Sequence, residues 1–299
     1  MTHELILFLQ DIRLSSDTLT SAMVMVSNPA VYMVAPIVAA AFIFWFVDKR
    51  QGDWIIMNMV CGGFIGHFLK DLLMIPRPWV SDDRVLPEDT ALKHADGYST
   101  PSGHSVESTT GYGSLAILIR KWWISVIFAA IIITVMFSRL FLGVHTLLDL
   151  VFGFLLAVTV IVINHCLLKT SYNGRYAVVS LCYIAAFTVI ALIWSRLTTD
   201  YKGLFGYGGL AFGTLVGRLV EHEFVRYDIK EMTIMKKIER FLLGLVVCSI
   251  LFLVPYILIN GDYGLMTSAF LTAIGFFTIV PIMFKKMDGC LLDDSEHSL

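Results

Sequence analysis

Three short segments carry the ionisable side chains in this sequence that could do chemistry. KDLLMIPRP holds Lys70, Arg77 and Pro78; PSGH runs from Pro101 to His104; and SRLFLGVHTLLD, residues 138–149, sets Ser138 and Arg139 before His145 and Asp149. Together they supply three fixed cations, two histidines and one carboxylate in a chain that otherwise reads as lipid-embedded helix. Ionisable groups are costly at membrane depth and mark sites there. An Arg fork and a Lys point charge suit the three non-bridging oxygens of a phosphoryl group. A histidine oriented by a carboxylate is a nucleophile or a base. The chemistry these residue types define is phosphate binding and phosphoryl transfer.

Spacing sharpens the reading. Lys70 and Arg77 are seven apart, two helical turns, which places them on nearly one face, with Pro76 and Pro78 ending the helix and aiming Arg77. Thr100-Pro101-Ser102-Gly103-His104 reads as a helix start with Thr100 as N-cap and Pro101 at the first helical position. The N–H groups of Ser102, Gly103 and His104 are then an anion cradle at the positive end of the helix dipole, and Gly103 lets phosphate approach the backbone. His145 and Asp149, at i and i+4, share a helix face. A carboxylate there can accept a hydrogen bond from Nδ1–H and leave Nε2 as the free nucleophile.

These segments must be held by membrane helices. The 299 residues are 57% hydrophobic and 15% charged, with a mean hydropathy of +0.76; a soluble domain is about a quarter charged. The net charge of −2 gives no reason to expect a nucleic-acid partner. Cys61, Cys166, Cys182, Cys248 and Cys290 show no metal-ligand spacing and read as small apolar side chains. About nine spans are expected: 30–47, 54–75, 102–119, 122–142, 145–168, 177–197, 204–225, 241–260 and 265–284. The N-terminus lacks a basic leader region and reads as an interfacial amphipathic helix, with Leu5, Ile6, Leu9 and Ile12 on one face. Most Lys and Arg outside the motifs, including Lys49, Arg120, Lys236 and Lys285, fall in one set of loops. That side is expected to be cytoplasmic, with the C-terminus inside and every motif residue at the outer face.

In order and spacing, the three segments resemble the signature motifs of the type-2 phosphatidic acid phosphatase superfamily, integral-membrane lipid phosphate phosphatases with a vanadium-haloperoxidase-like core. The resemblance covers residues 70–149 and, through the span pattern, a catalytic core at 54–197. Additional C-terminal helices at 203–285 lie outside it, within a single membrane domain spanning 1–299. It implies an all-α helix bundle that hydrolyses a lipid phosphate or diphosphate at the outer face of a bacterial cytoplasmic membrane. The reaction would run through a phosphohistidine, with no metal and no other cofactor. His145 would be the nucleophile, Asp149 its orienter and His104 the general acid, then base. Lys70, Arg77, Ser102, Gly103, His104 and Arg139 would hold the phosphoryl group. The motif stretch GYSTPSGH and the extra C-terminal spans are similar to sphingosine-phosphate-phosphatase-like members. Phosphatidic acid, phosphatidylglycerol phosphate, undecaprenyl diphosphate and sphingoid phosphates are all open as substrates. The competing class is a transporter or channel for anions using the same cations, although no internal repeat accompanies them.

Four further features carry expectations. The loop between Arg77 and Thr100, with Asp82, Asp83, Arg84, Glu88, Asp89, Lys93, His94 and Asp96, reads either as a lid or headgroup reader or as a solvated loop. Its carboxylates fit no metal-binding loop. Glu107, one turn below His104, either tunes that histidine or is satisfied within the bundle. Gly209, Gly213 and Gly217 form a small-residue face for packing inside the chain or for a homodimer. Arg218 and Glu221 have the spacing of an ion pair.

Overall fold

The computed structural model describes residues 2–93, 95, 97–170, 174–198 and 201–296, without the side chains of 2, 169, 170 and 290–296; His94 and Asp96 of the loop between Arg77 and Thr100 lie outside the described residues. Every regular element among them is helical: α1 (Thr2–Ser15), α2 (Asp17–Ser27), α3 (Pro29–Tyr32), α4 (Val34–Phe46), α5 (Lys49–Leu73), α6 (Pro78–Ser81), α7 (Asp89–Leu92), α8 (Gly103–Ile119), α9 (Trp122–Phe141), α10 (Leu147–Thr170), α11 (Tyr176–Leu197), α12 (Tyr201–Val220), α13 (Ile234–Leu258), α14 (Asp262–Ile274) and α15 (Val280–Glu296). Two π-helical turns, Glu221–Val225 and Gly275–Ile279, continue α12 and α14.

Eight helices among the described residues are long and apolar enough to cross a membrane, one fewer than expected. The difference is α8, the helix opened by PSGH. It has 17 residues and its sequence GHSVESTTGYGSLAILI is rich in hydroxyls. A lipid-facing helix could not carry them, but α8 is internal. Ser105, Ser108, Thr110 and Ser114 are all buried, and Ser108 and Thr110 donate to the carbonyls of His104 and Val106 one turn back, at 2.7 and 2.9 Å.

The chain forms two units. The first comprises Met1–Ala40, Trp54–His165 and Arg196–Thr198. In its interior Asn58 of α5 donates to Ser114 of α8 and accepts from Asn164 of α10, both at 2.9 Å, so three helices share one satisfied polar core. The N-terminal hairpin of α1 and α2 packs on the end of α9 and on the loop after α5. Ile6 and Leu9 are buried with Val85, Ala91, Phe141 and Val144. Gln10 donates to the Arg84 carbonyl at 3.1 Å and accepts from the Leu86 N–H at 2.7 Å, and Arg13 donates to the Leu86 carbonyl. The buried stripe of α1 is therefore Ile6, Leu9, Gln10 and Arg13. Leu5, Phe8 and Ile12 form a separate exposed stripe, so the apolar face expected as one surface is divided between protein and surroundings.

The second unit comprises Ala41–Asp53, Cys166–Ser195 and Thr199–Leu299. Trp45 is fully buried among Phe241, Phe276 and Phe284. The Arg218–Glu221 pair expected from spacing does not form. Arg218 makes a two-pronged pair with Asp53, 2.7 Å from Nη2 to Oδ2, while Glu221 takes Lys49 at 2.5 Å. At i+3 a Glu competes poorly with a buried carboxylate matched to both prongs of the guanidinium.

Of the two readings of the glycine face, the structure shows packing inside the chain. Gly209 and Gly213 face the backbone of Met266 and Phe270 on α14, and a Cβ on Gly213 would lie 2.5 Å from the Phe270 carbonyl oxygen. Gly217 faces Phe277 just beyond. Gly213→Leu is expected to cost about 1–3 kcal/mol through forced separation of α12 and α14. It should lower the melting temperature in detergent while leaving the particle mass by light scattering unchanged. A smaller particle of unchanged melting temperature would restore the dimer reading.

Candidate active site

The three motifs meet within the first unit, by a route that differs from the expected one. Helix α5 ends at Leu73, ahead of Pro76, where Met74 turns left-handed (φ 51°) and its N–H caps the Lys70 carbonyl at 3.0 Å. Arg77 sits beyond the helix, in extended conformation, at the head of α6. It does not stack on Lys70 along one helix face. The chain reversal lets both cations grip the same stretch instead: Lys70 Nζ donates to the Tyr98 carbonyl at 3.4 Å and Arg77 Nε to the Gly97 carbonyl at 3.0 Å.

The third motif turns a corner before its helix begins. Gly143 takes φ +74°, a conformation that strongly favours glycine, between the end of α9 and His145. His145 lies in this turn and not in α10, which starts at Leu147. Thr146 and Asp149 form the capping box that starts α10. The Thr146 N–H donates to Asp149 Oδ2 at 2.7 Å, and the Asp149 N–H donates to Thr146 Oγ1 at 3.3 Å. The cap holds the carboxylate beneath the imidazole, with His145 Nδ1 3.6 Å from Asp149 Oδ2, an ion-pair distance longer than a hydrogen bond. On the other edge of the ring, Nε2 is 3.0 Å from Arg77 Nη1, which also donates to the Val144 carbonyl at 3.0 Å.

Asp149 collects further donors from the second motif. Ser99 donates to Oδ2 at 2.6 Å and Thr100 to Oδ1. Thr100 is thereby not the N-cap of α8. Ser102 takes that position without a side-chain cap bond, and its N–H is bound by the Asp149 carbonyl at 3.0 Å. The expected cradle of three free amides is reduced to the N–H groups that follow Ser102, while the Ser102 hydroxyl is buried without a hydrogen-bond partner among the described residues. The two helix starts pack so closely that a Cβ on Gly153 would stand 2.7 Å from the Ser102 carbonyl oxygen.

One residue in contact with both His104 and Arg139 was not legible from the motifs. Ser27, the last residue of α2, accepts from His104 Nε2 through its carbonyl at 2.9 Å and from Arg139 Nη1 through its hydroxyl. His104, Arg139 and Ser27 are all buried. Tyr32 lies against the His104 ring, 5.4 Å between centroids, and donates to Glu107 at 2.7 Å, so Glu107 is engaged within the bundle. His67, one turn before Lys70, approaches Gly103: its Nε2 lies 3.7 Å from where a Cβ would stand there. Nothing in the motif spacing marked Ser27 or His67. The Ser99-Thr100 pair and the T-x-x-D capping pattern were in plain view.

The described part of the loop between Arg77 and Thr100 is hydrogen-bonded to its surroundings. Besides its bonds to α1, the Glu88 N–H donates to the Leu142 carbonyl at 3.0 Å and the Glu88 carboxylate caps α7 at 2.7 Å. Hydrogen bonds from Arg84 hold the Asp82 carboxyl down at about 2. It therefore stays ionised in neutral solution, next to the bond from Arg84 to Glu4 at 3.2 Å.

Residues 54–175 match the model of the PAP2 superfamily, and residues 205–290 match that of the PAP2 superfamily phosphatase transmembrane extension. The chain belongs to the PAP2 superfamily, and with its apolar helices it is an integral membrane protein. Among named relatives, sphingosine-1-phosphate phosphatase 1 of Rattus norvegicus is 25% identical over 58% of this chain and 43% of its own length. Undecaprenyl-diphosphatase of Sulfolobus acidocaldarius is 30% identical over 42% of this chain and 58% of its own. Phosphatidylglycerophosphatase B of Bacillus subtilis is 29% identical over 36% and 55%. The chain thus spans about half the length of the relatives it matches. No solved structure matches it.

Because Asp149 is buried, its charge depends on the donors around it. Thr100→Val, which keeps the shape but removes one donor, is expected to cost about 1–3 kcal/mol. That loss should be read as a lowered melting temperature of the purified protein. An unchanged melting temperature would show that Thr100 does not support the carboxylate.

Proposed function

We propose that the protein is a lipid phosphate phosphatase, with His145 as nucleophile and His104 as proton donor. The observation that carries the reading is the ring of groups around His145: a carboxylate on the Nδ1 side and a guanidinium 3.0 Å from Nε2. Arg77 is placed to bind a phosphoryl oxygen and bring phosphorus to Nε2. Lys70, Arg139, the Ser102 hydroxyl and the amides opening α8 are suited to the remaining oxygens. The named relatives act on a sphingoid phosphate, undecaprenyl diphosphate and a phosphatidylglycerol phosphate by their descriptions. A lipid carrying a terminal phosphate is the substrate class that unites them.

In the first step the Nε2–phosphorus bond forms as the bond from phosphorus to the leaving oxygen breaks, and His104 gives its proton to that oxygen. The Nε2–H of His104 is committed to the Ser27 carbonyl, which leaves Nδ1 as the atom that exchanges the proton. In the second step water attacks phosphorus and gives its proton to His104 as the Nε2–phosphorus bond breaks, its electron pair returning to Nε2, so phosphate departs and both histidines are restored. Asp149 keeps His145 in the tautomer that presents Nε2 and offsets the charge that grows on the ring. Three cationic side chains can balance a phosphate dianion and the charge developing in transfer, a role that metal ions fill elsewhere. The active site is proposed to face the outer side, from the bias of Lys and Arg toward the opposite loops.

Phosphate release from a panel of lipid phosphates by the purified protein tests the reading. His145→Ala is expected to lower turnover by several orders of magnitude. His104→Ala should also be severely impaired on lipid phosphates, while the first-turnover release of p-nitrophenol from p-nitrophenyl phosphate, whose leaving group needs no proton, should be much less slowed. Equal losses in first-turnover release on both substrates would remove His104 from the donor role. Activity should persist in excess EDTA; a loss reversed by magnesium would overturn the charge balance given above. For the orientation, a cysteine at Asp83 in a cysteine-free background should react with an impermeant maleimide on intact cells, and one at Lys236 should not. The reverse pattern would place the site on the cytoplasmic side.

A further inference from the structure

Helices α5 and α8 run antiparallel in the first unit, and glycines on α5 let them come close. A Cβ on Gly62 would lie 2.8 Å from Thr110 Cγ2, and one on Gly66 would lie 3.6 Å from Val106 Cγ2. Further along α5, His67 reaches Gly103 and Lys70 reaches the Tyr98 carbonyl at 3.4 Å. The space over Gly103 is open apart from that histidine. His67 Nε2 would stand 3.7 Å from a Cβ there, an ordinary contact, and no other side chain among the described residues comes within 4 Å. Packing alone would accept an alanine; what the glycine leaves is room for a ligand against the backbone. Cα–Cβ bonds lean toward the N-terminus of a helix, so this room lies at the end of α8 where the first N–H groups lack intrahelical acceptors. It is also the accessible part of the site. Gly103 and His67 are half-buried, whereas Lys70, Arg77, Ser102, His104, Arg139 and His145 are no more than 7% exposed.

We propose, on the phosphatase reading of this site, that His67 is a further substrate-binding residue. Its Nε2–H donates to the non-bridging phosphoryl oxygen that rests on the opening turn of α8. A hydrogen bond to a charged oxygen is among the stronger ones. Lys70, one turn on along the same helix, brings charge from the same side, but an ammonium is a point charge with rotatable donors. The imidazole has a single N–H direction at Nε2, so His67 selects which oxygen faces α8 and thereby turns phosphorus toward His145. It takes no part in moving the proton or forming the covalent bond. The oxygen it holds is retained in the product, so inorganic phosphate reports the same contact as the substrate.

The test measures binding of inorganic phosphate to the full-length protein in detergent by titration calorimetry, beside turnover of a lipid phosphate. His67→Phe keeps a ring of similar volume without its nitrogens, and His67→Gln returns an amide N–H at similar reach. In His67→Phe the dissociation constant of phosphate should rise about tenfold. KM should rise with it while kcat falls less, and the melting temperature should hold. His67→Gln should recover most of the affinity. His67→Leu is measured alongside, so that a failure of His67→Phe to fold does not end the test. Phosphate binding unchanged in a folded apolar variant would overturn the proposal, as would a loss that His67→Gln shares in full, which marks a packing role. The phosphatase reading fails by a different result. Phosphate binding that depends on His67 in a protein that releases no phosphate from lipids would leave the contact and remove the catalyst. Turnover abolished by His145→Ala, with phosphate binding indifferent to His67, would leave the catalyst and remove the contact.

Discussion

The buried carboxylate of Asp149 ties the two histidine-bearing motifs into one object. Its side chain accepts the Thr146 N–H and the Ser99 and Thr100 hydroxyls, its carbonyl accepts the Ser102 N–H, and it lies 3.6 Å below His145. A carboxylate with so few free lone pairs has little freedom to rotate, and a charge so far from water cannot lose these donors cheaply. The start of α8, the start of α10 and the turn carrying His145 are therefore held in one arrangement by one group. The cations are added around that centre by the chain reversal after α5 and by the last turn of α9. Both reach it from outside the α8–α10 joint.

The N-terminal hairpin closes the arrangement from another side. Gln10 and Arg13 fasten α1 to the loop that follows Arg77, and Ser27 at the end of α2 touches both His104 and Arg139. A carbonyl that accepts from Nε2 of His104 leaves Nδ1 as the other nitrogen of that ring. The segment precedes residues 54–175, the part matched by the superfamily model.

Membrane helices, their all-α class and the convergence of the motif residues were legible because apolar length and motif spacing are local properties of the sequence. What was not legible depended on partners distant in the chain. Lys70 and Arg77 were expected along one helix, yet Met74 adopts a left-handed conformation that ends α5 ahead of the prolines. Thr100 looked like an N-cap, but the buried charge of Asp149 is a stronger claim on its hydroxyl than a backbone amide. Arg218 had a partner at i+3 and chose Asp53, 165 residues away, because that pairing uses both prongs of the fork. α8 was read as an ordinary span although its hydroxyls suit an internal helix. The glycine face of α12 could serve another chain or the same one, and the close approach of α14 shows its use within the same one.

The proposed mechanism stands on a covalent bond between phosphorus and one nitrogen, and that bond can be observed. Turnover of a substrate carrying radioactive phosphorus in its terminal phosphate should be stopped within milliseconds in alkali, which preserves phosphohistidine, and the peptides mapped. The label should reside on the peptide containing His145, be lost in acid, and be absent from His145→Ala. Label on any other residue, or steady turnover of wild-type protein and His145→Ala alike with no labelled peptide, would contradict the nucleophile assigned to this site.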